Sequence, residues 1–308
     1  MNPIDWDEAA VILRSVNDCV RWGVSRFREA QLFFGHGTDN AVDEALHLVL
    51  HALHLPHGMP PELLAARLTP AEVQNVLLLL ERRVVERKPT PYLMQSATFA
   101  GLEFYVDERV LIPRSPLAEI IERQFAPWAE GDTIARVLDL CTGSGCIAIA
   151  CAHSLPQAVV DAVELSPGAC AVAQRNVEAH QLQARVNILR GDLFGPVAGE
   201  RYQLIISNPP YVGQAEFEGL PAEYRHEPAM ALLSGDDGLD LVARMLRDAR
   251  AHLTDDGILI CEVGNSEEAL AQRFPDVPFT WLEFERGGGG VFMLTAQELQ
   301  RFHGTFAE

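Results

Sequence analysis

VLDLCTGSGCIAIA, residues 137–150, opens as a short apolar strand and closes as a helix of small and apolar residues. Between them Gly143, Gly145 and Ala148 stand in the G-x-G-x-x-A spacing, with Asp139 at the strand end. Glycines are needed where a backbone must turn tightly and pass close to a ligand. Glu164 closes the next apolar run, 19 residues after Gly145. A carboxylate at that place can accept from both ribose hydroxyls of an adenosine. The loop alone does not separate a dinucleotide dehydrogenase from an S-adenosylmethionine enzyme. Asp139 favours the latter, because it can meet the positive end of a methionine moiety.

Outward from this loop the texture repeats. ARVLDL (135–140), AVVDAVEL (158–165), RVNILR (185–190) and YQLIISN (202–208) read as strands. CIAIACAHSL (146–155) and PGACAVAQRNVEAH (167–180) read as the helices between them. Strands alternating with helices of this length predict an α/β fold with a parallel, doubly wound sheet. A helix (238–253) and a strand (257–264) follow, and PFTWLEFERGGGGVFMLT (278–295) reads as an antiparallel hairpin joined by a glycine tract. GDLF (191–194) supplies Asp192 as an acceptor for an adenine amino group, with Leu193 and Phe194 for the ring faces.

Ahead of the sheet, residues 1–90 read as helical. Apolar residues recur at helical spacing from Asp5 to Phe34, until GHGTDN (35–40) breaks the pattern. Thr38 or Asp39 is the expected cap of a second helix over 41–53. Thr69, Pro70 and Glu72 form a capping-box pattern that starts a third. Residues 91–116 hold a short hairpin and a proline-rich segment, and 117–308 carry the sheet. Arg82, Arg83, Arg87 and Lys88 read as a solvated basic face. His47, His51, His54 and His57 read as a helix end rather than a metal site, because Pro56 and Gly58 break the helix beneath them.

Composition excludes some functions. The 24 Lys and Arg against 43 Asp and Glu give a net charge of −19, which opposes direct DNA binding through phosphates. None of the six cysteines forms a C-x-x-C pair, so buried free thiols in a reducing compartment are expected. MNPIDWDEAA has no secretory pattern, and no apolar run approaches bilayer length. The expected setting is cytoplasmic, with no membrane and no metal.

IISNPPYV (205–212) narrows the chemistry. Asn208, Pro209, Pro210 and Tyr211 fall at a strand's carboxyl end, where ligands bind in open α/β sheets. Two prolines remove two N–H donors, so the turn presents carbonyls. The Asn208 side-chain oxygen and the Pro209 carbonyl can accept both hydrogens of an NH₂ group, while Tyr211 offers a flat wall. Adenine, cytosine and glutamine amides all carry such a group. The acidic charge, the absence of a base-reading segment and the leading helical domain favour glutamine.

Four segments carry a family resemblance: residues 92–121, the glycine loop, NPPYV with EYRHEPAMALLSGDDGLDL (223–241), and ICEVGN (260–265). They resemble the HemK-like protein-(glutamine-N5) methyltransferases, within the branch that modifies the large-subunit ribosomal protein L-three. The release-factor branch typically has Gly at Cys141 and Asp-Thr-Glu near Ser115 to Leu117, where this chain has RSPLAE. The resemblance implies an S-adenosylmethionine-dependent methyltransferase with a Rossmann-like sheet. It implies cofactor contacts from Cys141, Thr142, Gly143, Ser144, Gly145, Glu164, Leu193 and Asn208, and a glutamine held by Asn208 to Tyr211. Glu164 replaces the family's usual Asp at the ribose. Arg114, between two prolines, is a candidate for the substrate entrance, and Glu223–Pro228 is expected to pack over the active site. The alternatives are the same reaction on a release-factor glutamine, and a nucleic-acid amino methyltransferase.

Overall fold

Among the described residues, nine strands arise where the sequence places its β-branched and leucine-rich runs. They are β1 (Ala97–Phe99), β2 (Leu102–Phe104), β3 (Arg136–Leu140), β4 (Val159–Glu164), β5 (Val186–Arg190), β6 (Tyr202–Ser207), β7 (Leu253–Glu262), β8 (Thr280–Trp281) and β9 (Val291–Thr295). The computed structural model describes residues 6–56 and 58–307, which fall into two compact units. One comprises the chain up to Ser96 together with Pro221–His226; the other comprises Ala97–Leu220 and Glu227 onward.

In the second unit seven strands form one sheet in the order β5-β4-β3-β6-β7-β9-β8. The first five run parallel; β9 pairs antiparallel with both β7 and β8. The doubly wound expectation and the C-terminal hairpin are both met. Successive residues of each central strand enter opposite cores: Val137, Val160 and Leu204 pack on one face, Leu138, Val163 and Ile205 on the other. Burial of both faces is what a parallel sheet covered by helices requires. The order reverses direction between β3 and β6, which opens a crevice at their carboxyl ends. Helix Cys146–Ser154 is apolar all round and almost wholly buried, so the glycine loop before it is rigidly backed. β1 and β2 form the expected separate hairpin.

The helical unit departs from expectation in three places. The first helical stretch is two helices, Trp6–Ile12 and Val16–Glu29, because Ser15 starts a new one. Its hydroxyl accepts from Asp18 N while Asp18 accepts from Ser15 N, a reciprocal box that apolar spacing does not reveal. Asn40, rather than Thr38 or Asp39, caps helix Ala41–Ala52: its Oδ1 accepts from Val42 N and Asp43 N, both at 2.9 Å. The Thr38 hydroxyl is taken up by Glu44 instead. Thr69 and Glu72 form the expected box at the head of Pro70–Val85.

The third departure is Arg83, which is buried rather than part of a solvated face. It faces Glu44 from helix Ala41–Ala52 and Glu223 from the Pro221–His226 segment, and donates to the Phe33 carbonyl at 2.9 Å. Arg87 adds a second guanidinium to Glu223 at 2.7 Å. A buried charge of this kind is tolerable only when paired, and removing one partner strands the others. All six cysteines are unpaired, and burial pushes the Cys19 and Cys146 thiols up to about 12. No described helix is long and apolar enough to cross a membrane.

Candidate active site

Two loops leave the sheet at its switch point, one after β3 and one after β6. The first, Cys141–Gly145, turns through left-handed backbone at Cys141, Gly143 and Gly145. The two glycines serve different ends. A Cβ on Gly143 would meet nothing within 4 Å, so its face is open to the cleft. A Cβ on Gly145 would press on Ala173 Cβ at 3.3 Å, so this glycine seats helix Cys146–Ser154 against helix Pro167–Ala179. Asn176 on that second helix ties the loop down by donating to the Ser144 carbonyl at 2.8 Å.

The cleft between the loops holds about 970 Å³, its open mouth included, within the range of small-molecule sites. Cys141, Thr142, Gly143 and Ser144 line it, with Glu164, Asp192, Leu193 and Asn208. Pro210 and Arg114 contribute as well. Glu164 is buried at the end of β4, where its two oxygens accept from Gly143 N at 3.0 Å and Ser166 N at 2.8 Å. Each oxygen retains a lone pair for a further donor. An open glycine backbone beside a bonded carboxylate suits the ribose and methionine parts of S-adenosylmethionine.

Other expected residues sit elsewhere. Asp139 is fully buried and does not line the cleft. Its Oδ2 accepts from the Thr142 hydroxyl and from Ala148 N, so it shapes the glycine loop from beneath. Among the described residues its Oδ1 has no hydrogen-bond partner, and burial pushes the carboxyl up to about 7. Phe194 turns away from the cleft and stacks on His252 with ring centroids 4.6 Å apart. Asp192 reaches the cleft, but its Oδ2 already accepts from Arg244 at 2.6 Å, leaving Oδ1 for a ligand.

In the second loop Asn208 and Pro210 line the cleft, with Pro209 between them at its edge, whereas Tyr211 does not line it. The Tyr211 hydroxyl donates to Glu262 Oε1 at 2.9 Å, and Ser266 Oγ donates to the Tyr211 carbonyl at 2.9 Å. Glu262, at the end of β7, also accepts from the Ser115 hydroxyl at 2.5 Å. Burial pushes its carboxyl up to about 7, against the hydrogen bonds and the Arg114 charge that pull it down. Nothing local in the sequence marks Glu262 as a bridge, since both partners are remote in the chain.

Arg114 is fixed by a two-pronged ion pair to Glu227, with both contacts at 2.6 Å. The segment EYRHEP is therefore divided. Glu223 belongs to the helical unit, Glu227 holds Arg114, and Pro228 lines the cleft. Among the described residues no group of three or more His, Cys, Asp or Glu side chains is arranged for a metal ion. His57 of the histidine run lies outside the described residues.

Residues 125–224 match the family model described as methyltransferase small domain. The chain is 52% identical over 291 residues to the ribosomal protein uL3 glutamine methyltransferase of Xanthomonas campestris pv. campestris, covering 94% of each. It is 45% identical to that of Francisella tularensis, covering 96% of this chain and 94% of the relative. Against that of Xylella fastidiosa Temecula1 the identity is 50%, over 100% of this chain and 97% of the relative. At such identity over nearly the full length, the chain belongs to the ribosomal protein uL3 glutamine methyltransferase family.

Proposed function

We propose that the protein transfers a methyl group from S-adenosylmethionine to the side-chain amide nitrogen (N5) of a glutamine in ribosomal protein uL3. The observation that carries this reading is Asn208-Pro209-Pro210-Tyr211 at the carboxyl end of β6, beside the glycine-loop cleft, in a chain that belongs to this family. When bound, the cofactor supplies an electrophilic methyl group on a sulfonium. Cys141, Thr142, Gly143, Ser144 and Gly145 form the loop that receives it, and Glu164 accepts from the ribose hydroxyls. Leu193 and Asp192 meet the adenine. Phe194 and Asp139 act from behind, by packing and by holding the loop.

An amide nitrogen is a weak nucleophile, because its lone pair is shared with the carbonyl. No described side chain of the Asn208–Tyr211 motif is a strong base, so the chain's part is positioning. The Asn208 Oδ1 and the Pro209 carbonyl accept the two amide hydrogens, and these bonds strengthen as positive charge grows on nitrogen. The nitrogen gives up one hydrogen as a proton to solvent after transfer. Arg114, held by Glu227, shapes the entrance. The helical domain, residues 1–90, recognises the protein substrate. In this reading the reaction takes place in the cytoplasm, and the net charge of −19 argues against direct DNA binding.

Incubation with radiolabelled S-adenosylmethionine and either free uL3 or a peptide chain release factor tests the reading. Label on uL3 alone, lost in Asn208→Ala, supports it. Label on the release factor keeps the chemistry and overturns the substrate. Salt-sensitive labelling of a nucleic acid overturns both.

A further inference from the structure

Two loops that line the cleft, Pro113–Ser115 and Asn208–Pro210, are separated by about a hundred residues of chain, yet one carboxylate touches both. Glu262 Oε2 accepts from the Ser115 hydroxyl, and Oε1 accepts from the hydroxyl of Tyr211, the residue that follows Pro210. Its buried place at the end of β7, next to β6, makes the reach possible: Cys261 is in register with Ser207. Both bonds run from a hydroxyl to a carboxyl group, and they are of the stronger, charge-assisted class once that group is ionised.

The surroundings leave Tyr211 little freedom. Its carbonyl is held by Ser266 Oγ, and its ring lies on the bare backbone of Gly264. A Cβ at Gly264 would stand 2.5 Å from Tyr211 Cε2, so any other residue there would displace the ring. Ser115 is held as tightly: its Oγ also accepts from Leu117 N at 3.1 Å, and its neighbour Arg114 is clamped by Glu227.

We propose that Glu262 is a positioning residue that clamps the Ser115 loop to the Asn208–Tyr211 loop and thereby fixes where the Asn208 and Pro209 acceptors stand relative to the cleft. It touches neither ligand; it acts through Tyr211 and Ser115. The inference rests on the proposed role of Asn208–Tyr211 in holding the glutamine amide. A clamp of this kind governs turnover rather than cofactor binding, because Glu164 and the glycine loop do not depend on it.

The test is a mutant cycle on the full-length enzyme, with methylation of uL3 and cofactor affinity both measured. Glu262→Ala is expected to lower kcat about 10-fold or more, the scale on which a small displacement of positioned groups acts. The dissociation constant for S-adenosylmethionine stays within about 2-fold, since no contact to it changes. Glu262→Gln restores most of the rate, because its amide oxygen still accepts from Tyr211 and its NH₂ can donate to Ser115 Oγ. In the Tyr211→Phe, Ser115→Ala background, Glu262→Ala costs less than about 2-fold, as expected for residues that act as a unit.

A full Glu262→Ala loss in that background, or an equal fall in cofactor affinity, overturns the clamp in favour of a general structural role. Should Glu262→Ala fail to fold, the double variant Tyr211→Phe, Ser115→Ala decides alone: reduced kcat with intact cofactor binding supports the clamp, and wild-type kcat overturns it. Wild-type enzyme that leaves uL3 unlabelled overturns the glutamine reading itself, an outcome distinct from a labelled wild type with an indifferent Glu262→Ala.

Discussion

The two loops at the sheet's switch point are built from opposite materials. The loop after β3 uses glycines and left-handed backbone, and presents an open backbone face to the cleft. The loop after β6 uses consecutive prolines, which lack N–H groups and leave carbonyls and the Asn208 amide as acceptors. A cofactor with hydroxyls, carboxylate and ammonium needs the mixed chemistry of the first. An NH₂ group with two hydrogens to place needs only acceptors. Each loop rests on a buried carboxylate, Asp139 beneath the first and Glu262 beneath the second. Asp139 uses one oxygen within its own loop, whereas Glu262 uses both to hold separate segments.

The largest effect should come from the acceptor loop. Asn208→Ala removes one of the two acceptors for the amide hydrogens. We expect kcat to fall by about 10² or more, by analogy with loss of a single transition-state hydrogen bond, and cofactor affinity to change far less. Steady-state labelling of uL3 together with calorimetric titration of S-adenosylmethionine separates the two quantities. Unchanged turnover would remove Asn208 from the chemistry and break the division of labour between the loops.

Glu164→Ala tests the opposite side. It removes the carboxylate that accepts from Gly143 N and Ser166 N and that would meet the ribose. Hydrogen bonds to a charged group contribute about 1.5–3 kcal/mol each, so cofactor affinity should weaken by about 10-fold or more. With saturating cofactor, turnover should largely recover. A variant that binds normally but turns over slowly would place Glu164 on the substrate side.

How much of this was legible in the sequence depends on how far apart the partners lie. Asp139, Thr142 and Ala148 fall within nine residues, so the glycine loop and the acid at its strand end are readable as one motif. That Asp139 faces inward, and not the ligand, is decided by burial, which spacing does not carry. Ser115 and Tyr211 lie 147 and 51 residues from Glu262, and nothing local in ICEVGN marks them as its partners. The parallel, doubly wound class of the sheet followed from strand and helix alternation, whereas its strand order is seen only in the fold. Arg83 reads as solvated because Arg82, Arg87 and Lys88 near it in the chain are charged, while its two acids come from distant segments. Phe194 departs from expectation because the chain beyond β5 turns through left-handed backbone at Leu193, which lines the cleft while Phe194 stacks on His252.

The two glycines of the first loop sharpen the comparison within it. Alanine at either position is strained by the left-handed backbone, at about 1–2 kcal/mol. Gly143→Ala adds a methyl group to the open cleft face, so it should weaken cofactor affinity several-fold with a modest fall in Tm. Gly145→Ala presses instead on Ala173, so it should lower Tm more and affect cofactor affinity less. Thermal unfolding with and without S-adenosylmethionine distinguishes them. Equal behaviour of the two variants would mean that the loop responds as one rigid piece.

The smallest effect concerns the acid beneath that loop, and its sign follows from where the proton is held. Burial raises the Asp139 carboxyl from its ordinary 3.8 to about 7. Between those values the folded chain keeps a proton that the unfolded chain has lost, so stability falls as pH rises through the window and levels off above about 7. Glu262, raised from 4.5 to about 7, contributes in the same direction. Asp139→Asn removes the first contribution while its side-chain oxygen still accepts from Thr142 and Ala148 N. The Tm drop between pH 5 and pH 8 should therefore narrow in Asp139→Asn relative to wild type. An unchanged drop would mean that Asp139 holds its charge at neutral pH, with the uncovered Oδ1 meeting a positive group or water in solution. The glycine loop would then resemble the acceptor loop more closely than its buried geometry suggests.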